Sequence, residues 1–299
     1  DDMPKIYIIS GHNEYTLDSG FTTALEKENI DYETISLMEY DAIPDDAECI
    51  IIHAPEKDFS EDDANKVIDY LNNGGKAFIT TEYVEEQMPN FEKILSEFGL
   101  TIEKGYAVDT NAGNYYQTPI YLLPNVEYSD ETTGLTGSHT YVMAPYAEAI
   151  AVPDVDVDSI TYTKLLTTSE KSLVKTDVKN ATSFDKEEGD IEGPLCIGVK
   201  AEKTLDSGSA VLYVFSSAQF FTDNVDNAVS GNNRTLFTNI MSTIASHDVS
   251  VSVPVKSYDY DNLTASTKDV VLFETIVVIL IPLALIITGF VVWFKRRKK

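Results

Sequence analysis

Two of the four histidines in this 299-residue chain follow short apolar runs, His12 within Ser10-Gly11-His12-Asn13-Glu14 and His53 within His53-Ala54-Pro55. Two further runs end in Thr80-Thr81-Glu82 and in Ser216-Ser217-Ala218-Gln219. Imidazoles and carboxylates are the side chains that ligate metals or move protons near neutral pH. If the four runs are strands of one open parallel sheet, their carboxyl ends share a rim, and such sheets bind ligands there. The candidate ligand- or partner-binding set is therefore Ser10, Gly11, His12, Glu14, His53, Thr81, Glu82 and Ser217. With a reference pKa of about 6.5, both imidazoles would be mostly neutral at pH 7, although an acidic body would favour their protonated forms. The competing reading is loop polarity, in which these side chains only satisfy backbone amides. The spacing has none of the specificity of HExxH, so no catalytic residue, metal or cofactor is assigned. Replacing both His12 and His53 by Ala is expected to spare the fold.

Other enzyme signatures are missing. The sequence has no GxSxG elbow, no GxxxxGK[ST] loop and no GxGxxG after the first strand. An amidotransferase-like nucleophile would be a Cys on the turn after a central strand, but Thr80-Thr81-Glu82 has no thiol. Cys49 and Cys196 both lie inside apolar runs, where a thiol acts as a small core residue; a bridge between them is left open. Asp154, Asp156 and Asp158 alternate on one face of an extended segment, yet Ser159 and Leu165 stand where a calcium loop needs Gly and Glu. A solvated acidic edge is the better reading. Seven tyrosines (Tyr106, Tyr115, Tyr116, Tyr121, Tyr128, Tyr141 and Tyr146) are read first as packing, then as a partner surface, then as sugar-stacking groups.

The elements that must carry the rim alternate between two periodicities. Residues 5–10, 32–37, 49–53 and 76–81 read as strands, the first buried on both faces. Between them, Leu17, Phe21, Ala24 and Leu25 recur at helical spacing, and Ala64, Val67, Ile68 and Leu71 form one apolar stripe. Ser60 can cap that second helix, residues 61–63 are acids suited to its positive end, and Asn73-Gly74-Gly75 ends it. A third stripe, Phe91, Ile94, Leu95 and Phe98, stops at Gly99. Residues 105–160 have no sustained period and four prolines, which suggests an irregular Tyr-rich insertion. Strands return at 162–168, 195–200 and 210–216, the last two after an acidic loop at 185–192, and a helix covers 232–247. Residues 249–255 alternate as an edge strand would. The predicted class is α/β, a mostly parallel sheet with helices on both faces, flavodoxin-like or class I amidotransferase-like, plus one C-terminal transmembrane helix.

Charge fixes the remaining plan. The chain carries 22 basic and 49 acidic side chains, a net of −27. Setting aside Glu274 and the five basic residues 295–299 leaves 17 basic and 48 acidic groups in residues 1–269, a net of −31. Such a body repels phosphate backbones, which excludes nucleic acid as a partner, and with 43% hydrophobic residues it is too apolar to be disordered. Residues 275–294 hold no charge. At about 1.5 Å per residue they span roughly 30 Å, the thickness of a bilayer core. The basic run at 295–299 places the C-terminus in the cytoplasm by the positive-inside rule. The expected order is an extracytoplasmic body over 1–255, a linker over 256–269, a membrane helix over 270–294 and a cytoplasmic tail over 295–299, in a bacterial cell membrane. The opening residues offer no export signal, so the chain is expected to be a C-terminal or processed fragment.

In order, SGHNEYT after the first strand, DAIPDDAECIIIHAPEKDFSEDDANKVIDYLNNGGKAFIT, then SSAQFFTDN, SGNNRTLFTNIMSTIA and the closing IPLALIITGFVVWFKRRKK resemble the GldG-type auxiliary proteins of ABC transport systems. The similarity covers nearly the whole chain. That family usually has Gly where Asn13 stands and an upstream membrane segment. The resemblance implies a non-catalytic, membrane-anchored extracytoplasmic auxiliary subunit, binding or coupling, beside separate permease and ATPase subunits. It names no cargo, small molecule or polymer. The alternatives are a surface hydrolase or metalloenzyme using the His12/His53 rim, and a structural envelope scaffold.

Overall fold

The computed structural model describes residues 3–245 and 266–297, apart from 138, 155, 156, 158 and 207. The first four strands are β1 (Lys5–Ser10), β2 (Asp31–Ser36), β3 (Ala47–His53) and β4 (Lys76–Thr80). Helices α1 (Ser19–Lys27) and α2 (Glu61–Asn72) connect them, and α3 (Pro89–Ser96) follows β4. The middle of the chain supplies β5 (Thr101–Glu103), β6 (Tyr106–Asp109), β7 (Tyr121–Leu122), β8 (Asn125–Val126), β9 (Ala144–Pro145) and β10 (Ala149–Ala151). Longer strands return with β11 (Ile160–Thr167), β12 (Ser172–Lys175), the short β13 (Ile191–Glu192), β14 (Cys196–Leu205) and β15 (Gly208–Phe215). Helices α4 (Asp223–Ala228) and α5 (Asn232–Ala245) follow, then α6 (Thr267–Glu274) and α7 (Ile281–Arg297), joined by a wider helical turn over Thr275–Leu280. The predicted edge strand at 249–255 and the linker up to 265 lie outside the described residues, as do Asp156 and Asp158 of the alternating acidic segment.

The main sheet runs β2-β1-β3-β4-β15-β14-β10-β5. Its first five strands are mutually parallel. Beyond them β14 is antiparallel to β15, and β10 and β11 both pair with β14. Alternate residues of each parallel strand enter different cores. Ile6, Ile8, Cys49, Ile51, Phe78 and Phe215 meet Phe21 and Leu25 of α1 and the α5 stripe Leu236, Phe237, Ile240, Met241 and Ile244. Tyr7, Ile9, Ile50, Ile52, Ala77 and Ile79 meet Ala64, Val67 and Leu71 of α2 and Phe91, Ile94 and Leu95 of α3. Burial on both faces is why these strands are continuous apolar runs in the sequence. The strand order 2-1-3-4 followed by a fifth parallel strand changes direction between β1 and β3, the kind of switch point beyond whose carboxyl ends such sheets bind ligands.

Local signals explain the frame that holds this rim. Ser60 caps α2 by accepting the Asp63 N–H at 3.0 Å, and Gly74 leaves the helix at φ +94°. Asn13 turns the chain after β1 at φ +57°, a conformation that Gly or Asn adopts readily. Ala54, directly after β3, sits at φ +46°, a strained backbone for a residue with a Cβ.

Candidate functional site

The two rim histidines face opposite sides of the sheet. His12 turns toward α2 and stacks on Phe59 with ring centroids 3.7 Å apart and planes within 9°. Its Nδ1 lies 2.9 Å from Glu14 Oε1 and its Nε2 lies 3.3 Å from Asp63 Oδ2, while its backbone N–H donates to Glu14 Oε2 at 2.7 Å. The side chains of Glu14 and Asp63 are each only 4% exposed. Lys66 extends the chain of charges, 3.4 Å from Asp63 and 2.7 Å from Asp62. Burial alone would lower the His12 pKa, but hydrogen bonds and charge from Glu14 and Asp63 outweigh it and raise the pKa above its ordinary value. Each ring nitrogen thus has a carboxylate oxygen within 3.3 Å, an arrangement that favours the imidazolium, which donates from both. His12 therefore has no free lone pair for a metal.

His53 lies on the other face. Its Nδ1 is 2.7 Å from Thr80 Oγ1, and its ring meets Tyr15 and Phe221 edge-on. Burial without a charged partner lowers its pKa to about 4. It is a neutral core imidazole. Tyr15 links it to the next strand end: its N–H donates to the His53 carbonyl at 2.8 Å, and its hydroxyl faces the carboxylates of Glu82 and Glu56. Burial and those carboxylates push the Tyr15 hydroxyl up to about 12, and burial also raises Glu82, whose Oε2 is buried without a hydrogen-bond partner.

The remaining predicted residues are distributed along the rim. Thr81 Oγ1 donates to Glu148 Oε2 at 2.9 Å. Ser10 Oγ donates to the Ile35 carbonyl, and Ser217 Oγ donates to the Pro145 carbonyl at 2.6 Å while capping the turn at Ala218–Phe221. Gly11, at φ +125°, makes the turn into the His12 loop. The structure thus joins His12 to Glu14, and Thr81 and Glu82 to one crevice, but does not bring the eight residues into one pocket. That crevice is lined by Thr81, Glu82, Met88, Phe91, Lys104 and Glu148 and encloses about 20 Å³, room for about one water molecule.

Two participants were missed by the sequence reading. Asp63 reads as one of three acids at a helix N-terminus, yet its side chain is committed to His12. Glu148 is buried at the crevice, and burial raises its pKa to about 7, opposed by Thr81 and Lys104 and reinforced by Glu82 and Glu92. Its only sequence signal is a lone acid inside the apolar stretch Tyr146-Ala147-Glu148-Ala149-Ile150. Both cysteines are free and buried, and burial pushes each thiol up to about 12, so neither is an activated nucleophile. Among the described residues no group of three His, Cys, Asp or Glu is arranged to hold a metal.

Five parallel strands with helices on both faces and an order that changes direction between β1 and β3 define a doubly wound α/β protein of flavodoxin-like or class I amidotransferase-like type. Residues 3–240 match the family described as "ABC-type uncharacterized transport system", and the chain belongs to that family of ABC transport auxiliary proteins. No curated protein matches it. Among solved structures it is similar to the mmIFT52 N-terminal domain, with a TM-score of 0.58 at 15% identity over 83% of this chain and 100% of that one. It also aligns with a glutamine amidotransferase from Thermotoga maritima, at a TM-score of 0.45 and 6% identity over 82% of this chain and 100% of that one. A ThuA-like protein from Parabacteroides merdae aligns at 0.45 and 12% over 89% and 97%. At these identities the likeness concerns fold alone.

Proposed function

We propose that this chain is a GldG-type, membrane-anchored extracytoplasmic subunit that binds or couples for an ABC transporter and performs no chemistry of its own. The observation that carries the reading is the helix Thr267–Arg297, 31 residues long, none of them buried, attached to a body of this family. A helix with apolar residues exposed on every side has a bilayer as its matching solvent. The basic residues at 295–299 favour a cytoplasmic C-terminus, which puts the acidic body outside. The non-catalytic part is supported by the rim itself: His12 is spent on two carboxylates, His53 is sealed in the core, and both thiols are inert. Within the predicted set, Thr81 and Glu82 are the residues that line the crevice.

Permease and ATPase subunits are the partners this reading requires. Affinity purification from mildly solubilised membranes should recover both in near-stoichiometric amounts; a chain that elutes without them would sink the proposal. Protease added to intact spheroplasts should digest the body and leave a C-terminal tag protected. A protected body would reverse the topology.

A further inference from the structure

The membrane helix is fastened to the body at its first turn. Lys268 donates its backbone N–H to the Ala112 carbonyl at 2.9 Å, Thr267 Oγ1 donates to the Tyr115 carbonyl at 3.3 Å, and the Tyr141 hydroxyl donates to Asp269 Oδ2 at 3.2 Å. Ser266 and Asp269 close a reciprocal capping box around the same turn, and Ser266 is buried. From Asp269 to the start of the charge-free stretch at Thr275 is six residues, about 9 Å of helix. The segments that receive the helix must therefore lie close to the membrane surface.

Those segments have an unusual composition for this body. In a region of net charge −31, none of the 17 residues 110–126 and none of the 16 residues 132–147 is Asp, Glu, Lys or Arg. They carry Tyr115, Tyr116, Tyr121, Tyr141 and Tyr146 instead. Tyr83, Tyr106, Tyr146 and Tyr121 form a continuous line of ring contacts at 5.2, 5.8 and 5.5 Å, running from the turn after β4 to the strand beside Tyr115 and Tyr116. Tyrosine is the side chain that suits the boundary between water and hydrocarbon, and acids are the ones an anionic leaflet repels.

The pole of the sheet on which this collar sits is fixed by α5. Asn232, at its start, donates to the Tyr141 carbonyl at 2.8 Å, and Asn233 bonds the backbone of Met143 in both directions. Its far end, the Ile244 carbonyl, accepts from Lys76 Nζ at the amino end of β4. Residues 139–147 therefore lie at the carboxyl-end pole, the same pole as Thr81, Glu82 and Glu148, while Thr133 meets the middle of α5 through Asn239.

We infer that the charge-free, tyrosine-rich collar formed by residues 110–126 and 139–147 rests on the lipid headgroup layer, so that the carboxyl rim of the sheet faces the bilayer. This rests on the anchoring reading above. It turns a tethered domain into an oriented one, with its candidate site presented to whatever the membrane holds beside it.

The test uses the full chain in nanodiscs of phosphatidylcholine. A fluorophore is attached at Gly113→Cys, where an added Cβ meets nothing within 4 Å, or at Asn72→Cys on the exposed end of α2 at the opposite pole. The native thiols are buried and will not compete for label. Headgroup-nitroxide lipid should quench the label at 113 severalfold more than the label at 72. Brominated acyl chains report separately on Trp293, the single tryptophan, within the helix. Quenched Trp293 with equal, weak quenching at 113 and 72 overturns the collar proposal alone and points to a protein partner for that face. Unquenched Trp293 overturns the anchoring reading and the inference with it.

Discussion

His12 and His53 end neighbouring strands, yet their environments are opposites. His12 is held between Glu14 and Asp63 with Lys66 beyond, a buried line of alternating charge on the α2 face. His53 is held by one hydroxyl and two aromatic edges on the α1 and α5 face. Carboxylates raise the pKa of the first, and desolvation lowers that of the second to about 4. A strand end delivers its side chain to whichever layer the alternation dictates, and that layer decides the chemistry. The two imidazoles that look like one site in the sequence are two separate structural devices.

The largest effect should follow loss of His12. His12→Ala leaves Glu14 and Asp63 buried and facing one another with no cation between them, and breaking a buried pair in this way costs about 3–5 kcal/mol. Urea unfolding of the detergent-solubilised chain at pH 7 measures it. A cost below about 1 kcal/mol would mean that water already screens the carboxylates. A double alanine variant would remove this charged partner of the two carboxylates along with any functional group, so its melt is expected to fall below that of the parent chain. The sign with pH follows from the raised pKa. The folded state keeps a proton that the unfolded chain gives up, so this contribution is whole below about pH 6.5 and is lost as pH rises through the folded value. His12→Ala should remove that alkaline decline.

His53 should behave in the opposite sense. Its folded pKa of about 4 lies below the unfolded value of 6.5, so the folded state refuses a proton that the unfolded chain accepts. Its contribution is whole above about pH 6.5 and declines toward pH 4, by roughly 2–4 kcal/mol in all. His53→Leu should abolish that acid-side slope while costing about 1–3 kcal/mol at pH 7, because Thr80 Oγ1 loses its partner. Melts of the two variants at matched pH values separate the histidines. Parallel slopes would show that the two rings share one environment.

What the sequence made legible was whatever leaves a local periodic trace. Strands β1, β3 and β4 announce themselves because burial on both faces makes them continuous apolar runs, and Ser60 announces α2 because a cap draws on a few short polar residue types at one place. The contents of the rim were less legible. Asp63 has the same local signature whether it serves the helix dipole or His12, and the choice depends on a loop 51 residues earlier. Glu148 meets Thr81 across 67 residues, so no spacing rule could pair them. His53 takes its face from the alternation along β3, which a sequence shows, but His12 lies past the end of β1, after Gly11 at φ +125°, where no alternation foretells its direction.

The smallest expected effect concerns the crevice beyond β4, where Glu148 resembles His53 in being buried and His12 in having charged neighbours. Desolvation raises its pKa to about 7; the Thr81 hydroxyl and Lys104 favour the carboxylate, while Glu82 and Glu92 disfavour it. Below pH 7 the folded state holds a proton there that the unfolded chain, titrating at 4.5, releases, so stability falls as pH rises from 4.5 through 7. Glu148→Gln keeps the shape and can still accept from Thr81 through its amide oxygen, but it cannot ionise. It should stabilise the chain by about 1–2 kcal/mol at pH 8 and be close to neutral at pH 5. Thermal melts at both pH values decide it. Equal effects at the two pH values would mean that Glu148 does not titrate in this range and that its carboxyl is held by Thr81 rather than tuned by burial.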